Sequence, residues 1–431
     1  MKVLFFDTWT VGIGNFLPIA KELKKRSVEC ILVHRGSLGA EVGRPKEEVV
    51  KGIQTRDISF YKTRLLHNIF KIEAPDAIVM LSSFYILDRA VILSAKALGI
   101  KTFFLMPGIR EVDEDYIRTI EYETKFKKIN SISSKLKKIP KYFTFVIPNY
   151  FFSGCKNSKY FIFTPSPWKA LGELFFQPGR KILYPTPSEE IHCDKALVYA
   201  DRYKQFFHEK YGYPLEKIKI VGNPNLDRVY SLLNDKKDPA FNRSLRQEKK
   251  IGDDQPIVTY LATPFVEAGY KGWTSEARVK QIEEFLEGCI KAGCHLVVKL
   301  HPSMNDPAIY DLEKKFAEIS IIDACDTPSL IDVSCAVIGH HSSTLLIPIV
   351  FDKPLFIPQW GLMSSLNDRF SSKGVAYAVK SLDDLASNLK KINLGGSLDS
   401  SIKDKKLFFE EYITIFDGKA VERCTSIICS H

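Results

Sequence analysis

Two apolar runs in the second half of the chain end alike, and that shared ending constrains the fold more than any other feature. Residues 296–300 (LVVKL) stop at His301-Pro302. Residues 335–339 (CAVIG) stop at His340-His341-Ser342-Ser343-Thr344, after which 345–350 read as the start of a helix. Proline has no N–H to give a ladder, so the first strand must end there. A short buried strand followed by a polar turn into a helix is the pattern of an open parallel sheet, which binds ligands beyond its carboxyl edge. Small hydroxyls and backbone N–H groups at a helix start suit an anion. The pattern predicts a two-sided phosphate clamp, His301 on one side and Ser342, Ser343 and Thr344 on the other. The same hydroxyls would also serve as ordinary N-caps.

The rest of the chain supplies the strands and helices such a sheet needs. Residues 2–6, 28–34, 77–81, 101–105, 196–199 and 218–221 read as strands with helical segments between several of them. A second series follows at 256–262, 295–300, 319–322, 335–338, 354–357 and 375–379. Strands alternating with helices predict parallel α/β sheets. The expected fold class is α/β, with two Rossmann-like doubly wound domains facing a cleft. The first, residues 1–233, would take the acceptor and carry an insertion at about 109–190. A charged Pro/Asp-rich stretch, 234–255, reads as a linker. Residues 256–400 would form the donor domain, and 401–431 a helical tail able to cross back to the first.

Within the insertion, seven lysines between 125 and 141 interleave with apolar residues, and an aromatic cluster follows at 142–152. A basic amphipathic stretch beside aromatics is the composition of an interfacial membrane element. The formal net charge of +10 suits an anionic partner. No nucleic-acid-binding motif accompanies the lysines, so no nucleic-acid partner is expected. The chain opens directly on a strand, and no uncharged run approaches the roughly 20 residues of a spanning helix. The expectation is a cytoplasmic protein, peripheral on the inner face of the cell membrane. The nine cysteines are scattered without a C-x-x-C pair, which fits reduced thiols and argues against structural zinc.

Chemistry concentrates at the strand ends. His301 at the sheet edge can donate to a phosphate, and its protonated form can stabilise the charge growing on a leaving phosphate. Thr263, Lys299, Pro302, His340 and His341 flank the same edge and join the expected donor-binding set. Adjacent residues such as His340 and His341 point to different sides and no third ligand has metal spacing, so no metal is expected. A general base for an acceptor hydroxyl would be a carboxylate. Glu267, in the loop after the strand at 256–262, and Asp7, at the end of the first strand, are the two candidates. No cofactor is expected beyond the activated donor itself.

Lys299-Leu300-His301-Pro302, followed by a strand leading to Ser342-Ser343-Thr344, resembles the HP and SS/T motifs of bacterial sialyltransferases, polysialyltransferases and Kdo transferases of GT-B architecture. That resemblance implies that His301, Ser342, Ser343 and Thr344 hold the phosphate of a CMP-activated donor. Those families take an acidic base from a D/E-D/E-G motif, where this chain has Glu267-Ala268-Gly269, one acidic residue short. Val221-Gly222-Asn223-Pro224-Asn225-Leu226-Asp227 is similar to the G-N-P-x-x-D segment of the CDP-glycerol glycerophosphotransferases, which also carry an HP motif and a later Ser-Ser. UDP-GlcNAc 2-epimerases share the fold, but usually show S-G-G where this chain has Ser342-Ser343-Thr344. The first expectation is therefore a glycosyltransferase moving a 2-keto acid sugar such as Kdo or sialic acid. It would use a CMP-sugar and a glycan or lipid-linked oligosaccharide acceptor, at an anionic membrane surface. The second is a CDP-glycerol-type polyol-phosphate transferase; an epimerase-like enzyme and a non-catalytic carbohydrate-binding protein are the others.

Overall fold

The computed structural model describes residues 1–7, 12–38, 43–83, 86–108, 144, 148–149, 192–234, 239–270, 272–340, 342–364, 370–396, 398 and 405–430. The lysine-rich and aromatic insertion falls almost wholly outside these residues, as does His341. The described residues divide into two compact units, one built from those up to Asn225 together with those from Glu411 onward, the other from those between Leu226 and Glu410.

The first unit holds an eight-stranded sheet. Its strands are β1 (Lys2–Asp7), β2 (Glu29–His34), β3 (Glu47–Val50), β4 (Ile53–Asp57), β5 (Ala77–Met80), β6 (Lys101–Leu105), β7 (Lys195–Val198) and β8 (Ile218–Ile220), in the order β3-β4-β2-β1-β5-β6-β7-β8. All pairs are parallel except β3 with β4. Strands such as β1 are near-continuous apolar runs because helices cover a parallel sheet on both faces. The β3–β4 hairpin turns on Lys51 and Gly52, both at positive φ (50° and 80°), as a tight two-residue turn requires. β7 is pinned beside β6 by Asp194, whose Oδ2 accepts from both the N–H and the hydroxyl of Thr102 at 2.8 Å.

The end of the chain is part of this core. Helix Ala420–Cys429 packs on helix Ile13–Lys25, and Cys424 and Ile428 are buried among Val3, Phe5 and Phe16. Arg423, held by Asp417 at 2.7 and 2.9 Å, donates through Nε to the Val221 carbonyl at 2.9 Å. Gly222, at φ +78°, lies so close that a Cβ there would sit 3.1 Å from the Ile415 carbonyl oxygen and from Arg423 Nη2. The Gly222-Asn223-Pro224 segment thus has a structural role, since it docks against the end of the chain just before the polypeptide leaves the first unit.

The second unit holds a wholly parallel sheet of β9 (Ile257–Leu261), β10 (His295–Lys299), β11 (Ile319–Ile322), β12 (Ala336–Gly339), β13 (Leu355–Pro358) and β14 (Tyr377–Val379), in the order β11-β10-β9-β12-β13-β14. Residues 234–255 are not a linker here. They contain helix Pro239–Lys249, and helix Asp227–Asn234 directly precedes them. Leu245 is buried with Ile257, Val297 and Leu330, and Lys249 donates to the Ile321 carbonyl at 2.8 Å. One narrow apolar stripe anchors an otherwise charged helix, which is why the composition reads as a connector. The boundary accordingly moves from 233 to Asn225.

Among the described residues no helix is long and apolar enough to cross a membrane.

Candidate functional site

The order of the second sheet fixes where a ligand can sit. From β9 the chain builds outward through β10 to β11, then returns to the other side of β9 with β12. This reversal is the switch point at which open α/β sheets bind ligands. Leu261 of β9 is in register with Lys299 of β10 on one side and Gly339 of β12 on the other. The segments carrying Thr263, His301 and His340 therefore leave the sheet at one level. Since β9 lies between β10 and β12, their ends stand about 9–10 Å apart, two strand spacings. A ligand with several anionic oxygens spans such a gap better than a single ion does.

His301 is exposed just beyond β10. Its Nδ1 accepts the backbone N–H of Ser303 at 3.2 Å, and the Ser303 hydroxyl lies 2.8 Å from the same nitrogen. An N–H can only donate, so Nδ1 carries the lone pair and the proton resides on Nε2. Partial burial of the ring and the nearby Lys299 ammonium hold its pKa below the ordinary histidine value, with Glu267 pulling the other way. At neutral pH the ring is thus a neutral Nε2–H donor. The charged role expected from the sequence belongs to acidic conditions.

On the far side of β9, Gly339 makes the turn after β12 possible. A Cβ there would lie 2.5 Å from Leu345 Cδ2, so glycine lets Leu345 pack over the strand end where a larger residue would push its side chain aside. The Ser342 hydroxyl accepts the N–H of Thr344 at 3.2 Å and caps the short helical segment that follows. Its capping role is therefore the one observed. Ser343 is exposed and Thr344 half-buried, and neither hydroxyl has a hydrogen-bond partner among the described residues. Both hydroxyls could donate to a ligand.

The other expected residues divide between framework and surface. The Thr263 hydroxyl donates to the His340 carbonyl at 2.5 Å and ties the ends of β9 and β12 together. Lys299 Nζ donates to the carbonyls of Leu300 (2.7 Å) and Asp323 (2.9 Å), closing the end of β10 rather than reaching outward. His340 is buried with its ring edge-on to Phe265. Pro302 is exposed and ends β10. Asp7 closes β1 in the first unit, where Gly12 leaves room for it: a Cβ on Gly12 would fall 1.5 Å from Asp7 Oδ2.

Sequence reasoning missed the group that organises the edge. Glu267 accepts with both carboxylate oxygens, at 2.8 and 2.7 Å, from Nη2 of the buried Arg278. A carboxylate committed in this way is better placed to orient its neighbours than to take a proton. The adjacent loop is held by Phe265 stacked on Trp273 at 4.4 Å, both buried. A lone arginine in an amphipathic helix carries no motif, so no sequence signal marks Arg278. Among the described residues no three His, Cys, Asp or Glu side chains gather as metal donors.

Residues 182–430, more than half of the chain, match the family described as CDP-Glycerol:Poly(glycerophosphate) glycerophosphotransferase. Among solved structures the chain is similar to a substituted variant of the wall teichoic acid polymerase TagF, at 12% identity and a TM-score of 0.57, covering 100% of this chain and 88% of that one. It is also similar to UDP-GlcNAc 2-epimerase from Methanocaldococcus jannaschii in complex with UDP-GlcNAc and UDP (13% identity, TM-score 0.53, 100% of both chains). The same enzyme from Neisseria meningitidis, bound to UDP-GlcNAc, gives 12% identity and a TM-score of 0.52 over 100% of both chains. At such identities these likenesses establish the fold, GT-B, and nothing finer. No curated protein sequence matches the chain.

Proposed function

Because the chain belongs to the CDP-glycerol:poly(glycerophosphate) glycerophosphotransferase family, we propose that it transfers a polyol phosphate, glycerol phosphate in the simplest case, from a CDP-activated donor to a hydroxyl of a surface-polymer acceptor. The family supports this second expectation from the sequence over the first, transfer of a 2-keto acid sugar from a CMP-sugar. The observation that carries it is the switch-point edge of the second unit. There a neutral Nε2–H donor at His301 and the hydroxyls of Ser343 and Thr344 flank β9 at the spacing a diphosphate can bridge.

In the reaction the acceptor oxygen bonds to the phosphorus that bears glycerol. The bond from that phosphorus to the bridging oxygen breaks, and the electron pair leaves with CMP. His301 Nε2–H donates to an oxygen of the diphosphate, and this bond strengthens as charge builds on the leaving phosphate. Ser343 and Thr344 donate from the opposite side and hold the donor in line. The acceptor's proton passes to a carboxylate. Of the two carboxylates expected from the sequence, Glu267 is committed to Arg278.

The test is a donor panel. The full chain is incubated with CDP-glycerol, CMP-Kdo, CMP-sialic acid and UDP-GlcNAc, each with a glycerophosphate-primed acceptor, and nucleotide release is followed. CMP release from CDP-glycerol alone is expected; release only from a CMP-sugar would overturn the reading. The lysine and aromatic stretch at 125–152 supports docking on anionic lipid during this work. Its deletion should abolish sedimentation with phosphatidylglycerol vesicles, and unchanged sedimentation would refute the docking.

A further inference from the structure

We infer that Arg278 is the positioning residue of the donor site, acting through Glu267 and Asp306 on the segment that carries His301. The inference rests on reading that edge as the site of the donor's phosphates.

Arg278 lies in the first turn of helix Ser275–Lys291, its side chain almost wholly buried. Nη2 donates to both oxygens of Glu267, and Nη1 reaches Asp306 Oδ2 at 3.3 Å. Glu267 belongs to the loop after β9 and Asp306 to the loop after β10. One guanidinium thus ties together the two loops that emerge from neighbouring strands at the switch point. Asp306 is fixed further by the Ser275 hydroxyl at 2.7 Å and by capping helix Pro307–Lys315 through the Ala308 N–H at 3.2 Å. Between these anchors, Leu300 N–H bonds the Ile322 carbonyl and Met304 N–H bonds the His301 carbonyl, each at 2.9 Å. The His301–Asp306 turn is therefore held at its start by the sheet and at its end by Arg278. A lysine would keep the charge but lose the planar fork that holds both Glu267 oxygens and Asp306 in a fixed geometry.

The arrangement also sets the charge that His301 meets. Lys299, on its own strand, and Glu267, from the neighbouring loop, act on the ring in opposite directions. Arg278 stands against Glu267 and Asp306, so much of the Glu267 charge is neutralised within the ion pair. Without Arg278 that carboxylate would act on His301 in full and favour the imidazolium. The Ser303 N–H could then no longer donate to Nδ1, and the orientation of the ring would be lost.

The experiment is an NMR titration of the full-length protein labelled in its histidine rings, with His301→Gln assigning the signal. Arg278→Gln should raise the His301 midpoint, and Glu267→Gln should lower it, each by about half a pH unit or more. Unmoved midpoints in folded variants would overturn the inference. If Arg278→Gln does not fold, Glu267→Gln decides alone: a fall supports the role and an unmoved midpoint refutes it. Arg278→Lys, which keeps the charge and loses the fork, should lower kcat/KM for CMP release at least about tenfold; full activity in this variant would count against the role. The titration uses no donor. A wild-type chain that releases CMP from no donor would therefore sink the proposed function, while the midpoints would still decide whether Arg278 controls His301.

Discussion

Ser303 donates its backbone N–H to Nδ1 of His301 at 3.2 Å, and this one contact places the ring proton on Nε2. A strand that ends in His-Pro must turn sharply, and the turn brings the amide two residues on back to the ring. The tautomer is thus a consequence of the proline stop. It makes His301 a directed neutral donor rather than a free charge.

If Nε2–H is the working group, a side chain that keeps an N–H near that position should keep part of the function. His301→Gln should retain more affinity for CMP than His301→Ala. The alanine variant should lose about 1.5–3 kcal/mol, the strength of a hydrogen bond to a charged group, or roughly 10- to 150-fold in Kd. Calorimetric titration with CMP measures both. Equal affinity in the alanine variant and the wild type would mean the phosphate sits elsewhere.

Gly339 is tested by filling the space that it leaves. A methyl there would meet Leu345 Cδ2 at 2.5 Å, an overpacking that costs about 1–3 kcal/mol. Gly339→Ala should lower both the melting temperature and CMP affinity, because the displaced segment is the one that carries Ser343 and Thr344. Adding Leu345→Val removes the clashing carbon and should restore much of both. A Gly339→Ala protein with wild-type melting and affinity would contradict the close packing.

In the first unit, Gly222 combines a left-handed backbone with a close carbonyl neighbour. Gly222→Ala should therefore destabilise the protein by about 1–2 kcal/mol or more from the backbone term alone. Urea unfolding followed by tryptophan fluorescence would register the loss. No change in midpoint would show that the turn relaxes without strain.

His295 gives a pH signature of stability. It is buried, with Nε2 2.8 Å from the Ser320 hydroxyl, and burial lowers its pKa from 6.5 to about 4. Between those values the unfolded chain binds more protons than the folded one, so stability falls as pH falls through that window. Above the upper value the contribution is fully present. Urea midpoints should drop between about pH 7 and about pH 5, and His295→Gln should flatten that slope. An unchanged slope in the variant would assign the acid sensitivity to other groups.

The strand positions were largely legible because buried parallel strands are apolar runs that stop at Gly, Pro or a hydroxyl. The hairpin of β3 and β4 was not. No residue of Glu47–Val50 is buried, and its turn is announced only by Lys51-Gly52. Helix Pro239–Lys249 was hidden because Leu245 is its one fully buried residue. At the site, the location of His301 and of the serine cluster followed from strand endings. The roles of Thr263, Lys299, His340 and Arg278 did not, since each depends on a carbonyl, a carboxylate or a ring brought near by another part of the chain.

In the proposed reaction a glycerol phosphate moves from CDP-glycerol to the growing end of a polymer at the His301 edge. Its most direct test uses donor labelled in the glycerol, a glycerophosphate-primed acceptor, and chain-length analysis of the product beside CMP release. Label should enter the polymer one unit per CMP released, and His301→Ala should depress both together. CMP release without label in the polymer, or polymer growth unchanged in His301→Ala, would contradict the account.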